Sequence, residues 1–92
     1  MVLLLSMGLA ACVGAPVQEM SNARQAIRAA RDAGAEQAAP QKLMEAQTLL
    51  DRAQDNLQRR AYRDARRDAL AARGKAAEAL HEVEAASRNG SG

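Results

Sequence analysis

Several sets of side chains in this sequence have types and spacings that could do chemistry. Cys12 is the only cysteine among 92 residues and directly follows the apolar run from Val2 to Ala11. Leu9, Ala10 and Ala11 stand just before it. A thiolate is a nucleophile that an acyl or diacylglycerol donor can modify, and small neighbours let the backbone enter an enzyme cleft. Further along, Arg59, Arg60, Arg63, Arg66 and Arg67 put five arginines into nine residues. Guanidinium forks suit phosphate and carboxylate groups. Arg59, Arg63, Arg66 and Arg67 share one side if the segment is a single helix. His81, the only histidine, has Glu78 and Glu84 three residues away on either side. A metal site would want a strong second ligand at helical spacing, and Ala77 and Ala85 occupy the four-residue positions. We therefore expect a solvated histidine and no metal. The pairs Asp51/Asp55, Asp64/Asp68 and Glu78/Glu82 share helix faces, but acid–base work needs a pocket that drives two pKa values apart. Surface charge patterning is the expectation for all three. No serine–histidine–acid set, phosphate-cradling glycine loop or CxxC is present. We expect no enzyme, no catalytic residue and no cofactor.

Of these sets, Cys12 has the most specific surroundings. The run Val2 to Ala11 has the length of a signal-peptide apolar region and falls far short of the ~20 residues that span a bilayer as a helix. Leu9-Ala10-Ala11-Cys12 resembles the bacterial lipobox. That resemblance implies a lipoprotein signal segment over residues 1–11, acylation of Cys12 and cleavage before it. No basic residue precedes Val2, so we expect that the true start lies upstream and that Met1 is internal. At roughly 0.8 kcal/mol per buried CH₂, two or three acyl chains hold a protein at a membrane where one does not. Val13 follows the cysteine. In sorted bacterial lipoproteins an Asp there would mean inner-membrane retention, so the resemblance implies the outer membrane, facing the periplasm. Residues 12–17 then read as a lipidated tether.

All 13 basic and all 11 acidic residues lie after Cys12, for a net charge of +2. That balance argues against nucleic acid as a partner, as does the absence of stacking aromatics near the arginines. Tyr62 is the only aromatic residue, and β-branched residues are scarce, which excludes buried strands. Helix-forming residues dominate. Residues 18–88 should therefore form one all-α domain, an antiparallel helical hairpin or small three-helix bundle.

The elements that must position these groups follow from apolar spacing. Met20, Ala23, Ile27 and Ala30 form a stripe that predicts a helix over about 18–33. Gly34 suits its C-cap, and Ala35 to Ala39 should connect it to Pro40, a good first-turn residue. Leu43, Ala46, Leu50, Ala53 and Leu57 keep an alternating three-and-four spacing, widened by Leu49, and predict a helix over 40–58. A new stripe starts at Tyr62 and runs through Ala65, Ala69, Ala72, Ala76, Ala79 and Val83, flanked by Leu70, Ala77 and Leu80. It predicts a helix over 62–87. The phase break at Gln58 to Ala61 implies a tight turn, with one long bent helix as the alternative. Gly74 inside the last helix suggests close approach of a neighbour, and 89–92 should be a frayed, disordered tail. Alanine stripes bury little area per residue, at roughly 25 cal/mol per Å², so a partner or self-association should add stability.

Across Gln18 to Ala86 the chain resembles a family of bacterial envelope lipoproteins of unknown function, built from an alanine-rich helical hairpin. The resemblance is carried by Asn22 to Ala30, Ala33-Gly34-Ala35 and Pro40. It continues through Leu43, Ala46, Leu50, Ala53 and Leu57, then Tyr62, Ala65 and Ala69. Arg60-Ala61 stands where that family often has Gly-Asp before the tyrosine. The family pattern implies that Tyr62 packs into the angle at the turn, much as in half of a tetratricopeptide-type repeat. Some relatives carry an OmpA-like peptidoglycan-binding domain, which is not expected within these 92 residues.

Two functional classes follow. One is a lipid-anchored structural or interaction module whose helical body holds an envelope protein partner or a second copy of itself. The other is a binder of anionic envelope ligands, lipid or glycan phosphate, through the Arg59–Arg67 cluster.

Overall fold

A computed structural model describes residues 14–90. Leu9, Ala10, Ala11 and Cys12 lie outside the described residues, as do Ser91 and Gly92. Four helices follow one another: α1 (Val17–Asp32), α2 (Ala35–Ala38), α3 (Pro40–Gln58) and α4 (Tyr62–Gly90). Among the described residues there is no strand. The three long helices form the expected all-α bundle.

The chain enters α1 through Pro16, whose ring is fully buried. Proline has no N–H to leave unpaired at a helix start, and its carbonyl accepts the Met20 N–H at 3.0 Å. Residues 14–16 were expected to belong to a free tether; instead Pro16 is packed into the body. Met20, Ala23, Ile27 and Ala30 are all buried, which is the stripe that the spacing predicts. The helix ends where Gly34 takes φ +104°, a left-handed conformation that costs glycine nothing and a side chain much. The Gly34 N–H closes the end by donating to the Arg31 carbonyl at 2.9 Å. The connection that follows is not plain loop. The Gly34 carbonyl accepts the N–H groups of Gln37 and Ala38, so Ala35–Ala38 makes one helical turn. A single turn is too short to have a readable period, which is why sequence spacing missed it.

Pro40 opens α3 at its first turn, as expected. Leu43, Ala46, Leu50 and Ala53 are buried, with Leu49 and Leu57 packed partly buried against them. The phase break is a true reversal. Arg60 sits at φ 62°, its N–H donates to the Leu57 carbonyl at 3.0 Å, and the Ala61 N–H donates to the Asn56 carbonyl at 2.8 Å. That pair of bonds is the Schellman closure of a helix C-terminus, made here with arginine in the left-handed position that glycine usually fills. The alternative of one long bent helix is thereby excluded.

Across the reversal, α3 and α4 run antiparallel and form the most extensive helix pair. Their register is visible in cross-helix ion pairs: Arg52–Asp68 at 3.7 Å, Lys75–Glu45 at 3.3 Å and Lys42–Glu78 at 2.8 Å. The Arg66–Glu19 pair at 3.4 Å ties the first turn of α1 to α4. So α1 and α4 begin at the same end of the bundle, beside the α3–α4 turn. Fifteen hydrophobic residues are buried among the described residues, and eleven are alanines. Met20, Ile27, Leu43 and Leu50 are the only larger side chains among those fifteen.

Along α4, Ala65, Ala69, Ala72, Ala76 and Ala79 are buried, while Leu80 and Val83 pack partly buried. Leu70 and Ala77 were expected to flank the core but are exposed, because three neighbours cover only one stripe of this helix. α4 also runs on to Gly90 rather than ending near 87, so Asn89 and Gly90 are its last residues and the tail does not begin at 89. Nothing between Val83 and Asn89 opposes helix. Gly74 is corrected more sharply: it faces solvent, and a Cβ built there would meet no atom within 4 Å. No neighbour approaches it. Gly74→Ala is accordingly expected to raise stability by up to about 1 kcal/mol, read as a higher urea midpoint at unchanged slope. A loss of stability would show that this face is covered.

Candidate functional site

The arginine cluster is assembled by two elements rather than one. Arg59 and Arg60 belong to the reversal, while Arg63, Arg66 and Arg67 lie in the first two turns of α4. The expected single helical side shared by Arg59 with the other three does not exist, because α3 ends at Gln58. The reversal also divides the five by what they touch. Arg66 is half-buried; it pairs with Glu19 and donates to the Gly14 carbonyl at 3.2 Å. Arg67 pairs with Asp64 at 3.3 Å and Asp68 at 3.5 Å. Arg59, Arg60 and Arg63 are exposed. Among the described residues, no carboxylate lies within ion-pairing distance of these three.

Two of the five arginines thus serve the fold, and three project from the tip of the bundle with their charge unspent. Tyr62 opens α4 half-buried, one residue after the reversal. Arg60 holds a left-handed conformation that costs an L-residue roughly 1–2 kcal/mol, where Gly or Asn would cost less.

Asp68 is the functional-looking residue that sequence reasoning treated as surface. It is 2% exposed, the one buried charged side chain among the described residues. Its Oδ2 accepts from Asn56 Nδ2 at 2.9 Å, and Arg52 of α3 and Arg67 of α4 both pair with its Oδ1. The signal was present: Asp68 is three residues after Ala65 and four before Ala72, so it occupies a seam position. Both arginines are themselves more than half exposed. The set is a polar clamp across α3 and α4, close to the reversal that carries the free arginines.

At the other end, Lys42, Glu78, His81, Glu82 and Ala85 line an open groove. Glu78 accepts from Lys42 Nζ at 2.8 Å and lies 3.8 Å from Lys75 Nζ. His81 is solvated and sits 3.7 Å from Glu84, as the sequence suggests. No group of His, Cys, Asp and Glu suited to a metal ion occurs among the described residues. The hydrogen bond and charge of Lys42 hold the Glu78 carboxyl below its ordinary 4.5. Glu78 in turn raises Lys42 above 10.5. The sign of the linkage follows. The Glu78 contribution is present above its unfolded value and is lost as pH falls through the lower folded value. The Lys42 contribution is present below 10.5 and is lost as pH rises through the higher folded value. Both groups are solvated, so the effect on stability is small. The sharper readout is the NMR titration of the Glu78 carboxyl, whose midpoint should rise in Lys42→Met; an unmoved midpoint would show that the pair is not formed in solution.

Asp51 accepts from Gln47 at 3.1 Å, and Asp55 is exposed. Asp64 pairs with Arg67 and Glu78 with Lys42, while the buried Asp68 departs from the surface patterning expected of its pair. No described helix is long and apolar enough to cross a membrane.

Residues 18–90 match the model of a protein family described as a domain of unknown function, DUF4398. No curated protein and no solved structure matches the chain.

Proposed function

The chain belongs to the DUF4398 family, and from that premise we propose that it is a non-enzymatic, lipid-anchored envelope protein whose helical body acts as a structural or protein-interaction module. The observation that carries the reading is the boundary at Cys12. An apolar run with small residues before the only thiol gives way at once to a chain that holds every Lys, Arg, Asp and Glu. The site of acylation is Cys12, with Leu9, Ala10 and Ala11 as the recognition residues, and the location is the periplasmic face of a bacterial outer membrane. An alanine-rich body offers little enclosed space for catalysis but long helical faces for a partner, either an envelope protein or a second copy of the chain. An OmpA-like domain in some relatives would fit the same setting.

The test is the mass of the mature N-terminus after expression in a bacterium. An acylated Cys12 is expected, and Cys12→Ser should move the protein from the membrane fraction to the soluble one in a high-salt wash. An intact Met1 with membrane fractionation unchanged by Cys12→Ser would sink the reading.

The exposed trio of Arg59, Arg60 and Arg63 favours a second reading, binding of an anionic envelope ligand. A pull-down from detergent-solubilised envelopes separates the two: protein partners favour the module, co-purifying lipid or glycan phosphate the anion binder.

A further inference from the structure

We infer that the turn end of the bundle, bearing Arg59, Arg60 and Arg63, is a second membrane contact that stands the helical body upright on an anionic lipid surface. The inference rests on the anchored reading above and names the ligand of its arginine trio: acidic lipid headgroups.

The argument starts from the entry of the chain. Gly14 is held by Arg66, its carbonyl accepting the guanidinium at 3.2 Å. Pro16 is fully buried, and Glu19 pairs with the same arginine. So the first described residues are fastened to the body rather than hanging from it. Arg66 stands four residues after Tyr62, about 6 Å along the axis of α4, and the reversal with Arg60 comes just before that helix. The entry of the chain and the arginine tip therefore share one end of the bundle.

Gly14 is two positions after Cys12, with Val13 between them. Two such steps span at most about 7 Å, so Cys12 cannot lie far from the end of the bundle that carries the arginines. An acyl group on Cys12 would therefore hold that end of the bundle, and not the far one, toward the headgroups.

The charge pattern agrees. At the tip, Arg66 and Arg67 neutralise Glu19, Asp64 and Asp68, leaving the trio to face outward. Glu78, Glu82 and Glu84 lie toward the opposite end of α4, on exposed positions. Glu78 is paired with Lys42, so Glu82 and Glu84 are the acids that disfavour this end at an anionic surface. With the tip down, Ala86 stands about 36 Å away along α4.

The experiment uses the mature chain, residues 12–92, with Cys12→Ser, so that neither a lipid nor the apolar run Val2 to Ala11 masks the contact, and vesicles of phosphatidylglycerol in phosphatidylcholine against phosphatidylcholine alone. Binding is expected only to the anionic vesicles and should fall steeply with salt. Each basic residue near such a surface contributes about fivefold. Arg60→Gly should therefore weaken partitioning about fivefold while making the turn more stable, which separates binding from folding. The triple change Arg59→Gln, Arg60→Gly, Arg63→Gln should weaken it on the order of a hundredfold with an unchanged helical circular dichroism spectrum. Headgroup-attached quenchers should reach a probe at Gln58→Cys and miss one at Ala86→Cys.

Equal binding to both vesicle types, binding unchanged by the arginine substitutions, or equal quenching of both probes would overturn the inference. The anchored reading fails separately, by the mass of the mature N-terminus.

Discussion

Leu50→Ala is expected to cost this protein about 3–5 kcal/mol, the upper part of the range for removing a buried leucine. Leu50 is 5% exposed in the middle of α3. The size of the penalty depends on how far the surroundings relax into the void. Ala46 and Ala53 on its own helix, and the buried alanine stripe of α4 opposite, carry one carbon each. Side chains that short cannot swing in, so the cavity should stay open or the helices must move as rigid bodies. Small domains have only 5–15 kcal/mol in total, and at this size each kcal/mol shifts the melting point by several degrees. The expected drop is on the order of 20 °C, measured by far-ultraviolet circular dichroism. Leu70→Ala is the internal comparison: Leu70 is half exposed on α4 and should change stability by no more than about 0.5 kcal/mol. Equal losses at the two positions would refute the assignment of the core.

The same arithmetic explains why helices were legible in this sequence and their junctions were not. A stripe such as Met20, Ala23, Ile27 and Ala30 repeats long enough to specify a face, and α1 buries those residues. One turn, as in Ala35–Ala38, has no repeat to read. Leu70 and Ala77 were misplaced for a related reason: apolar type does not say how much of a helix its neighbours cover. A glycine inside a helix suggests a close approach, whereas Gly74 simply faces solvent.

The candidate site was legible as a cluster but not as an arrangement. Five arginines stand out by composition alone. Which of them remain available depends on where α3 stops, and that is decided by backbone closure at Asn56, Leu57, Arg60 and Ala61. No glycine or proline marks that place. Because arginine takes the left-handed position, a helical projection continued through it puts Arg59 on the wrong side. The partners of Arg66 show the other gap: Glu19 and Gly14 are remote in sequence and meet it only because α1 begins beside α4.

Asp68→Ala should lower stability by about 1.5–3 kcal/mol, the usual worth of a hydrogen bond to a charged group. Replacement by alanine leaves Asn56 Nδ2 without its acceptor in a half-buried position, and such an orphaned donor keeps its desolvation cost. The two arginines contribute less, since Arg52 and Arg67 are 59% and 64% exposed and return to water when the carboxylate is gone. That division makes two further outcomes specific. Asp68→Asn keeps an acceptor for Asn56 and should cost roughly half as much as the alanine change. In a double-mutant cycle with Asn56→Ala, a coupling above about 0.5 kcal/mol is expected, whereas the cycle with Arg52→Ala should give a smaller one. Urea denaturation of the four proteins in each cycle measures both. A loss below about 0.5 kcal/mol for Asp68→Ala would mean that the clamp does not hold α3 to α4. The reversal, with Arg59 and Arg60 on it, would then be positioned by its backbone bonds alone.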